Sequence, residues 1–379
     1  MQIAIIGGGI TGLTTAICLH KLGYACTVYE QAPQLSEVGA GIWMQPNAMK
    51  VLDWAGVGDE IRRNSYLVNK VDITNDKLKP VRNTAAGFIY EITGSKISSI
   101  HRARLQKVLA NALPADSLKL NFSYRNHRED NDKVIVEFEN GEVIKCDMLL
   151  AADGLKSKVR SKVFPESQLR YSGQTSWRGI AMTQVPDVFK SSAFEAWGKG
   201  MRFGLSPISE NEVYWFAVAT AAQGGSDNKS GLKNYLLEKY KDFHPFVSRL
   251  IECTSDDKIL RTDISDLKRL SNWSKGRVCL LGDASHATTP NMGQGGGQGV
   301  EDAYYFSNFL NICKDYSKTY EVFENERRKK VDYVVNTSWT FGKLAHQTFG
   351  QTLLKTILKF TPDFIMEKQL KDLYEIRKF

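Results

Sequence analysis

Gly7-Gly8-Gly9-Ile10-Thr11-Gly12 follows a short apolar run, Gln2 to Ile6, and opens an apolar-periodic segment that ends at Leu22 and Gly23. That order reads as strand, glycine turn and helix. A second apolar run from Cys26 to Tyr29 leads into Glu30, 18 residues after Gly12, which closes a β-α-β unit of about 30 residues. Gly7 permits the tight turn, Gly9 lets a diphosphate approach the main chain at the positive end of the helix, and Gly12 allows the helix to lie close on the strand. Glu30 can accept hydrogen bonds from a ribose 2′-hydroxyl and would repel a 2′-phosphate, so the expected ligand carries an unphosphorylated adenosine. Ile10, Thr11 and Gln31 complete this first set of cofactor-binding candidates.

Around this unit lies a chain of 379 residues with 50 Lys+Arg against 42 Asp+Glu, 42% hydrophobic and 24% charged. The balance excludes a disordered, collagen-like or disulfide-framework protein, and the length predicts two domains. The longest basic block, Arg327-Arg328-Lys329-Lys330, reads as the solvated face of a charged helix, so no nucleic-acid partner is expected. No apolar stretch approaches the roughly 18 residues of a membrane span, and no signal-type segment stands at the N-terminus. A cytoplasmic protein without an integral membrane segment is expected. The six cysteines never form C-x-x-C and mostly sit in apolar runs, so they read as reduced thiols.

Further along, Val134–Phe138 and Val143–Cys146 flank Asn140-Gly141, the pair that a two-residue hairpin turn selects. Met148–Ala152 is a buried-type strand leading to Asp153-Gly154. Four runs then alternate polar with aromatic or branched residues, Ser176–Thr183, Ala193–Trp197, Met201–Pro207 and Val213–Ala219, which predicts a sheet with two unlike faces. Helices are expected around Leu232–Tyr240 and Phe246–Cys253, an apolar strand at Val278–Leu281, and helical spacing from Val300 to near the end, broken at Pro362. The chain leaves its first domain and returns to it.

Between that last strand and the helix expected near Val300 stand Gly282-Asp283-Ala284-Ser285-His286, Pro290 and Gly293-Gln294-Gly295-Gly296-Gly297-Gln298-Gly299. Bare peptide N–H groups at a helix start suit the N1–C2=O2 edge of a reduced flavin, or a diphosphate if Asp283 caps a ribityl hydroxyl. Read alone, the same glycines could form only a turn.

Taken together, these features resemble the single-component (class A) FAD-dependent aromatic monooxygenases, which include salicylate, para-hydroxybenzoate and urate hydroxylases. The resemblance extends to Cys146–Gly154 with Ser157 and Arg160, to Gly39-Ala40-Gly41-Ile42 with Pro46-Asn47, and to Arg102-Ala103-Arg104-Leu105, where the family's FAD-contacting arginine falls on Arg102. It implies cofactor contacts at Gly41, Arg102, Asp153, Gly154, Asp283, Pro290, Gly293, Gln294, Gly295, Gly296 and Gly297. Trp197–Arg202 and Val213–Phe216 are similar to the segment from which bacterial urate hydroxylases supply an Arg and a Tyr. By that likeness Arg202 and Tyr214 are the catalytic and substrate-binding candidates, with Arg202 favouring a deprotonated substrate; the bland alternative is a surface arginine and a core tyrosine.

Gly297 departs from the family's Asn, Ala151 from its Gly, and His286 reads as a structural hydrogen-bonder. The resemblance implies hydroxylation of a small aromatic or heteroaromatic substrate, urate-like or phenolic, by O2 through a C4a-hydroperoxyflavin, with NADH or NADPH as a transient reductant. Trp177, Trp197, Trp215 and Phe216 leave open a larger pocket, as in an epoxidase or antibiotic-modifying hydroxylase, and a flavin-binding regulatory protein without turnover is the rival of another class.

The expected fold is α/β: a Rossmann-type, glutathione-reductase-like FAD domain (1–75, 98–170, 266–340), an inserted mixed-sheet substrate domain (76–97, 171–265) and C-terminal helices (341–379), in a monomer or homodimer. The helical spacing of Thr340–Lys359 suggests docking on the FAD domain, with a membrane surface or dimer contact as alternatives.

Overall fold

The computed structural model describes residues 1–35, 40–82, 88–227 and 229–379. Strand Gln2–Ile6 lies between two parallel neighbours, Ala25–Tyr29 and Met148–Ala151. Leu118–Lys119 and Val278–Leu280 extend the sheet in parallel on either side, and Ser274–Lys275 forms an antiparallel edge. Ile3–Ile6 and Met148–Ala151 are buried along their whole length, because helices or the adjoining hairpin layer cover both faces of this sheet; unbroken apolar runs are the sequence signature of that arrangement. The hairpin forms as expected, Lys133–Phe138 against Val143–Cys146, with Gly141 at φ +88° in the turn.

A second, mixed sheet runs in the order Leu260–Leu267, Leu169–Met182, Glu212–Thr220, Met201–Ser209, Ser192–Gly198, Lys70–Asn75. It has two unlike faces. On one, Trp177, Phe203, Leu205, Val213 and Trp215 meet helices Lys229–Lys239 and Pro245–Glu252 in a closed core. The other face is fixed by register: Ile180, Tyr214 and Ser206 form one row, Arg178, Phe216, Gly204 and Glu195 the next, and Val218, Arg202 and Trp197 a third. This face turns toward a small antiparallel sheet of Gly41–Met44, Ile97–His101 and Tyr66–Val68, and Ser206 Oγ meets Ser99 Oγ of strand Ile97–His101 at 2.8 Å.

Four expectations change. Lys70–Asn75, assigned by sequence to the first domain, pairs in parallel with Ser192–Gly198 of the mixed sheet. Trp177 and Trp215 belong to the closed core and donate to Asp227 and Thr254, so they line no substrate pocket. The basic block is not a solvated face: Arg327 is buried and Lys330 reaches Glu301. Thr340–Lys359 is interrupted, because helix Tyr316–Ala345 ends before helix Thr348–Phe360 begins. A side chain at Gly350 would overlap the Leu344 carbonyl at this corner. The second of these helices docks on the mixed-sheet side, where Leu354 joins Trp197 and Lys355 Nζ donates to the Trp197 carbonyl at 3.2 Å. Helix Asp363–Tyr374 then returns to the first sheet's side, where Tyr374 Oη donates to Gln45 Oε1 at 2.9 Å.

Candidate functional site

The first glycine loop separates into two packing glycines and one open one. Gly7 has φ +105°, and a Cβ there would lie 2.5 Å from the Ala152 carbonyl oxygen; a side chain at Gly12 would overlap the Gly7 carbonyl. Gly9, by contrast, has nothing among the described residues within 4 Å of its Cβ position. No side chain caps helix Ile10–Lys21, so its first-turn N–H groups face that space without an intrahelical partner. Ile10 points into the core. Glu30 closes the loop from the neighbouring strand, its Oε2 accepting from Gly8 N at 2.6 Å and its Oε1 from Ala32 N at 2.9 Å. Gln31 is exposed beside it. Gln106, which the sequence did not single out, donates to the Gly8 carbonyl at 2.7 Å.

The second glycine stretch meets the first. Helix Gly295–Cys313 begins five residues before the expected Val300, because the glycines themselves form its first turn. A Cβ at Gly282 would come within 2.6 Å of Thr11 Oγ1, and one at Gly299 would overlap the same atom. Thr11 therefore fills the gap between the two loops with its side chain. Asp283 remains open to solvent, yet the surrounding protein pushes its carboxyl above the usual range, with His286 and Arg102 opposing the shift. Asp283 thus lines the accessible cleft between the two glycine loops. Arg102, exposed at the start of helix Arg102–Asn111, faces the same cleft. Asp153 lies against Gly7 next to Gly154; one of its oxygens accepts from Val159 N at 3.2 Å and the other is buried without a partner among the described residues.

Pro290 is exposed at the head of a short turn that ends in Gly293 at φ +63°, and Gln45 Nε2 donates to the Gly293 carbonyl at 3.1 Å. Gly295 and Gly296 line the helix start, and a Cβ at Gly296 would lie 3.0 Å from Ile42 Cδ1. Gln294 is fully buried and its amide is spent on Gln45, Asn47 and Gln298, so only its main chain is free for a ligand. At Gly297 a Cβ would lie 3.3 Å from both Asn47 Nδ2 and Gln294 Oε1. Those two amides take the space that the family's asparagine would need, which accounts for the departure. Gly41 touches the Tyr214 ring so closely that any side chain would overlap it; Gly39 lies outside the described residues.

Beneath the loop is a buried charge cluster that sequence reading missed. Asp302 accepts from Gly282 N at 2.8 Å, from His286 Nε2 at 2.6 Å and from Arg327 Nε at 2.9 Å. Glu301 receives Asn47 Nδ2 at 2.6 Å and pairs with Arg327 and Lys330. Burial works against ionisation of Asp302, but His286 and Arg327 outweigh it and hold its carboxyl below the usual range. The signal was present: Val300-Glu301-Asp302-Ala303 puts two acids into an otherwise apolar helix, where buried carboxylates need a cationic partner.

Arg202 and Tyr214 stand on the face of the mixed sheet that looks into this cleft. Arg202 is only 1% exposed. Its guanidinium pairs with Glu195 Oε1 at 3.0 Å and donates to Asn291 Oδ1 at 2.6 Å and to His346 Nε2 at 3.2 Å. It is therefore no surface arginine, and Glu195 offsets its charge. Asn291 belongs to the Pro290–Met292 turn, so this contact joins the mixed sheet to the glycine-rich loop. Burial pushes the Tyr214 hydroxyl up, with Arg178 opposing. Trp43 Nε1 and Arg178 Nε are buried without partners among the described residues, and the Trp43 and Phe216 rings lie 6.4 Å apart. Open space at Gly9, an unpaired Asp153 oxygen and a desolvated but accessible Asp283 fit an extended dinucleotide that runs from Glu30 to the mixed sheet.

Known proteins share this geometry. The family model described as FAD binding domain matches residues 1–336. The chain is 37% identical over 344 residues to aurachin C monooxygenase/isomerase of Stigmatella aurantiaca, covering 91% of this chain and 89% of that protein. It is 30% identical over 345 residues to the FAD-dependent urate hydroxylase of Klebsiella pneumoniae, covering 87% of each. The crystal structure of Klebsiella pneumoniae HpxO with FAD and uric acid matches at a TM-score of 0.91 and 26% identity, over 99% of this chain and 96% of that one.

Proposed function

The chain belongs to the FAD-binding family of class A flavoprotein monooxygenases, and from that premise we propose that it hydroxylates a neutral, carbonyl-bearing nitrogen heteroaromatic ring, taking electrons from NADH or NADPH. One observation carries the reading: Arg202 bridges the mixed sheet to the glycine-rich loop through Asn291 while Glu195 offsets its charge. A paired guanidinium in a dry site orients carbonyl oxygens by directed N–H groups, but it supplies little net charge to hold an anion. On this reading the site takes a neutral, hydrogen-bonding ring, where the sequence alone led to a deprotonated one. The relative crystallised with uric acid holds a carbonyl-bearing nitrogen heterocycle.

FAD would be held by the main chain at Gly9, Ile10, Thr11, Gly154 and Gly293–Gly297 and by the side chains of Glu30, Arg102 and Asp283, and would supply the passage of electrons from the nicotinamide to O2 that makes an oxygen atom available for transfer. The chain's own residues would place the ring: Tyr214, Phe216 and Ile180 share the face that would wall one side, the Trp43 indole N–H would offer a donor, and Arg202 would offer the Nη1 N–H it does not give to Glu195.

A longer, partly apolar substrate is favoured by a groove of about 330 Å³ lined by Asn336, Thr337, Thr340, Phe341, Leu344 and Leu354. Phe341 stands 5.4 Å from Trp197, the cross-strand neighbour of Arg202, so one packed aromatic layer separates the groove from the ring site, and the tail of a longer substrate would displace it. The test is NADH and NADPH oxidation against urate, hydroxybenzoates, and quinolones with and without alkyl chains, with peroxide quantified. The reading expects a neutral heterocycle to stimulate oxidation and yield hydroxylated product. Stimulation by carboxylate-bearing phenols alone, or complete conversion of the reducing equivalents to peroxide, would overturn it.

A further inference from the structure

Helix Thr348–Phe360 and the start of helix Asp363–Tyr374 carry a run of exposed apolar side chains outside the 1–336 family match. Phe349 is 81% exposed, Phe360 72%, Phe364 71%, Ile357 50% and Leu353 42%, with Ile365 next to Phe364. At 100° per residue, positions 349, 353, 357 and 360 fall within an arc of about 80° on one side of the helix. The opposite side, with Gln351 and Leu354, is buried against Trp197 and Ala345. The helix is already docked, and the phenylalanine stripe is its outward face.

The charge around the stripe selects its partner. Residues 340–374, to the end of the last helix, hold five lysines and three acids; Asp363 is engaged by Arg82 and Glu367 by Lys371, and Asp372 lies about two turns beyond Phe364. Helix Thr348–Phe360 itself contains no acid. Lys343, Lys359 and Lys368 are exposed around the stripe, with Lys343 over the Trp339 ring and Lys359 over Phe360. A second copy of the chain would bring like charges together. The six apolar residues are also far fewer than the roughly 20–30 a side of a stable protein interface. Shallow insertion of aromatic and aliphatic side chains, with lysines at headgroup level, is instead how an amphipathic helix lies on an anionic lipid surface.

We propose that the stripe Phe349, Leu353, Ile357, Phe360, Phe364 seats the protein peripherally on an anionic phospholipid bilayer. No helix among the described residues is long and apolar enough to cross one. The groove between Phe341, Leu344 and Leu354 lies beneath this same helix, so a substrate with an apolar tail would meet the protein where it partitions; the seating itself does not depend on the substrate reading.

The experiment is co-sedimentation of the FAD-loaded full chain with vesicles of 30% phosphatidylglycerol in phosphatidylcholine and with pure phosphatidylcholine, at low and high salt. The expected result is binding that prefers the anionic vesicles and weakens in high salt. It should drop at least tenfold in the triple variant Phe349→Ser, Phe360→Ser, Phe364→Ser, whose flavin content and visible spectrum stay unchanged. No vesicle binding by the unmodified chain, or equal binding by the triple variant, overturns the proposal. So does a dimer in analytical ultracentrifugation that the triple variant converts to a monomer, since the stripe would then belong to a second copy.

Discussion

Replacing Gly299 by Ala tests whether the two glycine loops are locked together through Thr11. A Cβ at 299 would overlap Thr11 Oγ1, whereas Thr11 Cβ is 3.3 Å away. Overpacking of this kind costs about 1–3 kcal/mol. Against it stands a gain of about 1 kcal/mol, because Ala replaces Gly inside helix Gly295–Cys313. Gly299→Ala alone should therefore destabilise the flavin-loaded protein by about 1 kcal/mol, a fall of roughly 1–2 °C in the temperature at which flavin is released. Thr11→Ala removes the overlapping hydroxyl and should itself be close to neutral. In the double variant the clash is gone and the helix gain remains, so the release temperature should return to the starting value or exceed it. The coupling between the two sites is then about 1–3 kcal/mol, as expected for residues in contact. Flavin fluorescence on heating reads all four proteins. Effects that add to within about 0.5 kcal/mol would show that residues 11 and 299 do not touch, and the convergence of the loops would fail with them.

Three further outcomes follow from the same geometry. Arg327→Met leaves Glu301 and Asp302 buried without their shared cation, which should cost about 3–5 kcal/mol; a melting temperature within 2 °C of the parent would contradict this. His346 is held neutral by burial and by Arg202, its pKa brought down to about 3. The unfolded chain takes up that proton below pH 6.5 and the folded one does not, so stability is full above pH 6.5 and lost as pH falls toward 3. His346→Gln, which keeps an acceptor for Arg202, should flatten the decline between pH 7 and 5, and an unchanged slope would remove His346 from the account. Glu195→Gln frees the charge of Arg202 and should lower KM for an anionic ring by about fivefold, roughly 1 kcal/mol, with little change for a neutral one; equal shifts for both would show that Glu195 does not set the charge of the site.

Much of the fold was legible because parallel strands buried on both faces write themselves as unbroken apolar runs, and because turns that need positive φ write themselves as glycine. Gln2–Ile6, Met148–Ala151 and Asn140-Gly141 are of this kind. The two faces of the mixed sheet were legible too, but alternation does not say which face meets the cleft. That is why Trp177 and Trp215 looked like pocket residues before their register placed them in the closed core. The start of helix Gly295–Cys313 was misplaced because three consecutive glycines argue against helix by propensity, while the tertiary contacts of Gly297 and Gly299 with Asn47 and Thr11 favour it. Arg327 was misread because neighbouring cations look alike in a sequence; only the helix phase separates the one that faces Glu301 and Asp302 from exposed Lys329. Of the partners of Arg202, Glu195 stands on the adjacent strand of the same hairpin, whereas Asn291 and His346 come from distant segments that no local pattern announces.

The central claim is that main chain from both ends of the first domain holds one FAD, with Gly9 at the open point of the cradle. Titration of flavin-free protein with FAD, followed by quenching of flavin fluorescence, tests it most directly. The account predicts one FAD bound per chain, and binding weakened at least a hundredfold by Gly9→Val with the far-ultraviolet circular dichroism unchanged. Undiminished binding by a folded Gly9→Val protein, or a stoichiometry other than one, would contradict it.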